Sequence, residues 1–298
     1  MTDELSLPGF PIFQSNELMM KISTKTLLIF LFSASVTSFL LNCNEETEIG
    51  TEPVDREVYV WSHNDYEQDR PLYKALELGF QMIEADIHLI DGKLYVSHDH
   101  PENLDETQEL EEMYLEPLSA VIEENNGVVL PESELPFYLV IDVKTEAEST
   151  FEVLSEVIEP YHPYFTRLEN GEWIEGPMRL LISGNRPSLD AESPDRVAFI
   201  DGRIPDIGAG YTEELYPVIS DNWNNYFSWD GAGQIPEEEW EQLTIFVDQV
   251  HAEGKIIRFW ATPDNESVWE VLLEAGVNIV NVDDLVGKRN FLDEYFKP

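Results

Sequence analysis

The sequence predicts a (β/α)8 TIM barrel, one α/β domain following an N-terminal signal segment. Three observations predict it. Apolar strand-like runs alternate with helical patterns from Glu57 onward. Several helical patterns end in glycine, a strong stop signal. Polar residues gather at the C-terminal ends of the runs, where barrels of this type carry their chemistry. Such alternation builds a parallel sheet, with an open doubly wound sheet as the runner-up. There is no glycine-rich phosphate loop, so a nucleotide site of that type has no support.

The first element is residues 20–43, MKISTKTLLIFLFSASVTSFLLNC. Lys21 and Lys25 precede an apolar run and then small residues, the pattern of a secretory signal peptide. The charge-free run Thr26–Cys43 is 18 residues, long enough for a membrane helix, but its Ser/Thr content favours a signal. Its distance from Met1 points to Met19 or Met20 as the true start. Leu40-Leu41-Asn42-Cys43 resembles the lipobox of bacterial lipoproteins, with Asn42 departing from the small residue usual there. Residues 1–43 are therefore read as a signal or lipoprotein signal and 44–56 as an acidic tether. Residues 57–298 are read as the barrel. Cys43 becomes a membrane tether, and the location a secreted or cell-envelope lipoprotein of a bacterium. The protein is expected to be a monomer.

Within the barrel, the strand-like runs are EVYVWS, QMIEADIHLI, KLYVSH, FYLVIDV, MRLLIS, RVAFID, KIIRFWA and VNIVNVD. Between them lie PLYKALELG, EPLSAVIEENNG, TFEVLSEVIEP, PEEEWEQLTIFVDQVHAEG and ESVWEVLLEAG, which carry helical spacing.

Charge excludes some functions. Lys+Arg is 17 against Asp+Glu 60, a formal net charge of −43. A nucleic-acid binder should be basic, so none is expected as partner. A site for an anionic substrate would need local positive charge, which a bound metal supplies. Cys43 is the only cysteine, so an intrachain disulfide and a cysteine zinc site are both excluded.

The strand ends carry the chemistry. Glu84 and Asp86 lie one residue apart on one strand face, opposite Ile83, Ala85 and Ile87. Asp142 and Lys144 share a face in the same way. Single strand-end acids are usually caps, but Glu84, Asp86 and Asp142 can converge from two strands. Three oxygen donors suit Mg²⁺ or Ca²⁺ rather than zinc. His63 and His98 each follow an apolar run and would flank the acids, placed for general acid and base work. His88 shares the face of Asp86 and is read as structural. Arg186, Arg203 and Arg258 also lie at or near strand ends. Trp260 is a candidate pocket wall, with a core role as the alternative.

The ordered set SHND…PLYKALELGFQMIEADIHLIDGKLYVSHDHPE, followed by Asp142-Val143-Lys144, resembles the glycerophosphodiester phosphodiesterase and phosphatidylinositol-specific phospholipase C-like superfamily. Three departures bring it nearer to the fungal altered-inheritance-of-mitochondria-like and sphingomyelinase-D-like branches. His63-Asn64-Asp65 replaces His-Arg-Gly, the Glu-Asn-Thr motif is missing, and Asp142 stands where a Glu is usual. The resemblance implies a metal-dependent phosphoric diester hydrolase acting on a small-molecule or lipid phosphodiester. It implies metal on Glu84, Asp86 and Asp142, acid–base work by His63 and His98, and phosphate contact by Lys144 and by Arg186, Arg203 and Arg258, each arginine with an ion pair as its alternative. A glycosidase and a non-catalytic ligand-binding lipoprotein are the competing classes.

Overall fold

The computed structural model describes residues 57–297. The strands are β1 (Tyr59–Ser62), β2 (Met82–Ile90), β3 (Lys93–Val96), β4 (Phe137–Val143), β5 (Arg167–Glu169), β6 (Glu172–Ile174), β7 (Met178–Gly184), β8 (Ala198–Gly202), β9 (Val218–Asn222), β10 (Ile256–Trp260) and β11 (Ile279–Val282). The helices are α1 (Tyr73–Glu77), α2 (Glu116–Glu124), α3 (Ala147–Ile158), α4 (Glu237–Ala252), α5 (Glu266–Ala275) and α6 (Leu285–Tyr295). The signal, the acidic tether and Cys43 lie outside the described residues.

The large sheet runs β1-β11-β10-β9-β8-β7-β4-β2-β3, and β1 also pairs with β2. That second pairing closes the ring. β3 is the antiparallel hairpin partner of β2, and the other eight strands run parallel. The molecule is therefore a closed (β/α)8 barrel, as predicted. Asp91 and Gly92, both at positive φ, make the tight turn from β2 into β3.

Strand alternation sorts side chains into two shells. Tyr59, Trp61, Met82, Tyr138, Val140, Leu181, Phe199, Val218 and Ile279 pack together inside the barrel. Ile83, Ala85, Ile87, Leu139, Ile141, Leu180 and Ile182 pack outward in a cluster with helical residues such as Leu118, Leu154 and Ile158. Burying each such side chain stabilises the fold by roughly 1.5–3 kcal/mol. A second outer cluster surrounds Trp223, Phe227 and Phe259 under α4 and α5. The inward apolar residues fill the lower barrel, so the inward polar ones are left for the top.

Seven of the eight strand-like runs are barrel strands. KLYVSH is the hairpin strand β3, and the barrel strand β9 was not among the predicted runs. Its core, Val218-Ile219-Ser220, is too short an apolar stretch to stand out. Helix α6 and the β5–β6 hairpin were likewise not anticipated. That hairpin closes the lower end of the barrel, with Trp173 stacked 5.8 Å from Phe199. No helix among the described residues is long and apolar enough to cross a membrane.

Candidate active site

Glu84, Asp86 and Asp142 meet at the top of the barrel. Parallel pairing sets Asp86 directly beside Asp142. Each of the three residues offers an oxygen, and these oxygens lie within 4.8 Å of one another. Gly184 makes the room: a Cβ there would come within 2.2 Å of Asp142 Oδ1, and its φ of +66° is left-handed.

Asp86 is fully buried and its two oxygens differ sharply. Oδ2 accepts from Lys144 Nζ at 2.8 Å, Tyr66 O–H at 3.0 Å and His98 Nδ1 at 3.0 Å. Oδ1 is buried with no hydrogen-bond partner among the described residues. An unpaired buried carboxylate oxygen is costly unless something positive occupies the space beside it. Lys144 Nζ also lies 3.1 Å from Asp142 Oδ1 and supplies part of that charge. The oxygen donor set and the orphan oxygen together fit a hard divalent cation such as Mg²⁺ or Ca²⁺.

Electrostatics agree with the crowding. Burial pushes the Glu84 carboxyl above the usual carboxylate range, against the pull of Arg258 and His63. Burial also raises Asp142, with Lys144 opposing. Burial would lower Lys144, but the charges of Asp142 and Asp86 outweigh it and leave its pKa raised.

The two histidines stand at the rim. His63 follows β1 directly. Asn64 then takes a left-handed conformation, φ 47° and ψ 47°, which turns the chain sharply after it. Asp65 is buried and holds this loop by accepting from Ser62 Oγ, the Leu72 amide and Tyr114 O–H. His63 Nδ1 donates to Asp283 Oδ1 at 2.7 Å, and Nε2 has no hydrogen bond among the described residues. Burial lowers the His63 imidazolium, but the Asp283 hydrogen bond and the Glu84 charge outweigh it and raise its pKa. His98 rests on Asp86 from the loop after β3, with its side chain about half exposed at 53%. His88 is buried, its Nε2 3.4 Å from the His98 carbonyl, in keeping with a structural role.

The candidate phosphate contacts are largely engaged by the protein itself. Arg203 pairs with Asp201 at 2.9 Å. Arg186 pairs with Asp206 at 2.9 Å and also donates to the Asp201 carbonyl. It still lines an open polar groove of about 640 Å³ with Lys144, Thr145 and Asn185. Arg258 is only 3% exposed and lies over the Trp61 ring beside Glu84. Its guanidinium is engaged with Glu84, the ion pair given as its alternative. Trp260 ends β10 at the top of the barrel, half-buried.

Several functional partners escaped sequence reasoning. Asp283 ends the run VNIVNVD, and nothing in that position marks it as the partner of His63. Tyr66 and Trp61 gave no signal at all, because an aromatic that donates a hydrogen bond reads like any core aromatic. Asp201 gathers Ser183, Ser220 and Arg203 around one buried carboxylate, three strands converging on it.

Comparison with known proteins follows this geometry. An altered inheritance of mitochondria protein 6 homolog from Arthroderma benhamiae is 28% identical over 262 residues, 78% of this chain and 83% of its own. The altered inheritance of mitochondria protein 6 of Eremothecium gossypii is 27% identical over 269 residues, 78% of this chain and 69% of its own. Among solved structures, a glycerophosphodiester phosphodiesterase from Parabacteroides distasonis has a TM-score of 0.47 at 12% identity, over 81% of this chain and 99% of that one. These relatives correct the assignment drawn from Leu40-Leu41-Asn42-Cys43. They are fungal and point to a eukaryotic protein, which overturns the bacterial envelope lipoprotein. Residues 54–201, which hold both histidines and all three acids, match the AIM6-like phosphodiesterase domain, which bears out the resemblance read from the sequence.

Proposed function

We propose that this protein hydrolyses phosphodiesters, with Glu84, Asp86 and Asp142 holding Mg²⁺ or Ca²⁺ and with His63 and His98 moving the protons. The single observation that carries the reading is the unpaired, buried Asp86 Oδ1 in a cluster of three carboxylates. The match of residues 54–201 to a phosphodiesterase domain supports the reaction class.

The cation, when bound, would neutralise charge building on the phosphoryl oxygens. The chain's own residues do the rest. Asp283 fixes His63 Nδ1 as the donor side of the ring, so Nε2 is its proton acceptor. The raised proton affinity of His63 suits it to take a proton from the attacking water or substrate hydroxyl. His98 is fixed through Nδ1 to Asp86 Oδ2, a charge shared with Lys144 and Tyr66. Its Nε2 is left to return a proton to the leaving oxygen. Lys144 brings positive charge to the edge of the cluster, where the polar groove begins. That groove, in a chain of net charge −43, is where an anionic diester finds cationic side chains. The substrate is a small-molecule or lipid phosphodiester.

Two variants test the proton carriers. His63→Ala and His98→Ala should each lower turnover of a glycerophosphodiester by about 10²–10⁴-fold with circular dichroism unchanged. Wild-type turnover in both folded variants would refute this use of the histidines.

A further inference from the structure

Around Glu84 lies a set of buried side chains. Trp61 is 0% exposed, and Glu84 and Arg258 are each 3% exposed. Trp61 Nε1 donates to Glu84 Oε2 at 2.6 Å. The Arg258 guanidinium lies over the Trp61 ring, 3.6 Å from its centroid. It also reaches Glu84 Oε2 at 3.6 Å. Arg258 Nε donates to Asn281 Oδ1 at 3.0 Å, and Nη2 donates to the same oxygen, which holds the guanidinium in place. Three barrel strands, β1, β10 and β11, thus cooperate to hold one carboxylate on β2.

The direction of this grip matters. The Trp61 hydrogen bond and the Arg258 ion pair both fall on Oε2, and no hydrogen bond to Glu84 Oε1 occurs among the described residues. Asp86 shows the same division, with Oδ2 held by three donors and Oδ1 by none. Two neighbouring carboxylates each have one oxygen pinned and one left open. Packing alone does not require that pattern. A centre whose ligands are fixed before the cation arrives does.

We propose that Trp61 and Arg258 are positioning residues for the cation site, pinning Glu84 Oε2 so that the other oxygen is aimed at the metal. This rests on the carboxylate-centre reading above. It assigns Trp61 and Arg258 to metal affinity, with neither touching substrate.

The test is calorimetric titration of the full-length protein with Mg²⁺ and with Ca²⁺, alongside circular dichroism and Tm in EDTA. Trp61→Phe keeps a ring under Arg258 and removes only the N–H donor. It should bind cation about 10–100-fold more weakly than wild type while remaining folded. Arg258→Lys keeps the charge and loses the flat stack, and should weaken binding in the same direction. A folded Trp61→Phe with wild-type affinity would overturn the proposal. A third measurement needs no variant. Among the indole N–H resonances of the 7 tryptophans, cation addition to wild type should shift at least one strongly. If none moves while calorimetry shows binding, the inference fails and the cation site stands. If wild type binds neither cation, the site reading itself falls, and this inference with it.

Discussion

His63 Nδ1 donates to Asp283 Oδ1 across 2.7 Å, joining the residue after the first barrel strand to the residue after the last. Closing the barrel is what makes this pair. β1 runs beside β11 with Ser62 opposite Val282, so the next residue on each strand emerges side by side.

The pair predicts a pH profile. The pKa of His63 is raised above its ordinary 6.5, so the neutral ring needed for proton abstraction appears only as pH climbs through that raised value. Asp283→Asn removes the charge and no longer fixes the hydrogen bond with Nδ1 as donor. The acid limb of kcat/KM should move to lower pH, and the maximum should drop by about 10²–10⁴-fold. In stability the sign is opposite. The pair contributes fully below the unfolded-state pKa and is lost as pH rises through the raised one. An acid limb unchanged in Asp283→Asn would show that His63 is not the group seen in the profile.

Lys144 is the only Lys or Arg forming ion pairs with both Asp86 and Asp142 among the described residues. Lys144→Met should lower stability in EDTA by about 1–3 kcal/mol. Added Mg²⁺ or Ca²⁺ should then raise Tm more in the variant than in wild type, because the cation replaces the missing charge. Thermal melts in both conditions measure this directly.

Gly184 is where the backbone yields to Asp142. Gly184→Ala meets both a left-handed φ and an Asp142 oxygen at 2.2 Å. It should destabilise the fold by about 1–3 kcal/mol and weaken cation binding together. Gly92, also left-handed but with open space around it, should show only the smaller backbone cost when changed to Ala.

Lys288 is 1% exposed, and its Nζ has no hydrogen-bond partner and lies 3.1 Å from the Trp269 ring centroid. Burial pushes its pKa down from 10.5 to about 7. The unfolded chain therefore holds the extra proton between those values, and stability rises with pH across that window. Lys288→Met should remove this slope and raise Tm at pH 6 by about 2–6 °C. Chemical denaturation at pH 6, 8 and 10 would show it.

The parts legible in the sequence are those that repeat or that carry their own chemistry. Strand alternation in QMIEADIHLI put Glu84 and Asp86 on one face, and the structure places them inward together. FYLVIDVK did the same for Asp142 and Lys144. The closed ring was inferred from alternation, and the paired β1 and β11 show it. What escaped was long-range and depended on packing. No local pattern distinguishes Trp61, a donor to Glu84, from Trp223, a core residue. The roles of Arg186, Arg203 and Arg258 turned on which acid lies next to each in space, and a strand-end position does not specify that. β9 escaped because its apolar stretch is short and runs straight into Asp221.

The most direct test of the central claim is phosphodiester hydrolysis by the full-length protein in Mg²⁺, in Ca²⁺ and in EDTA, with Asp86→Asn alongside. The panel should include glycerophosphodiesters and lysophospholipids. The account predicts turnover of at least one substrate in a divalent cation, its loss in EDTA, and its loss in folded Asp86→Asn. Turnover undiminished by EDTA and by Asp86→Asn would contradict a cation held by these three acids.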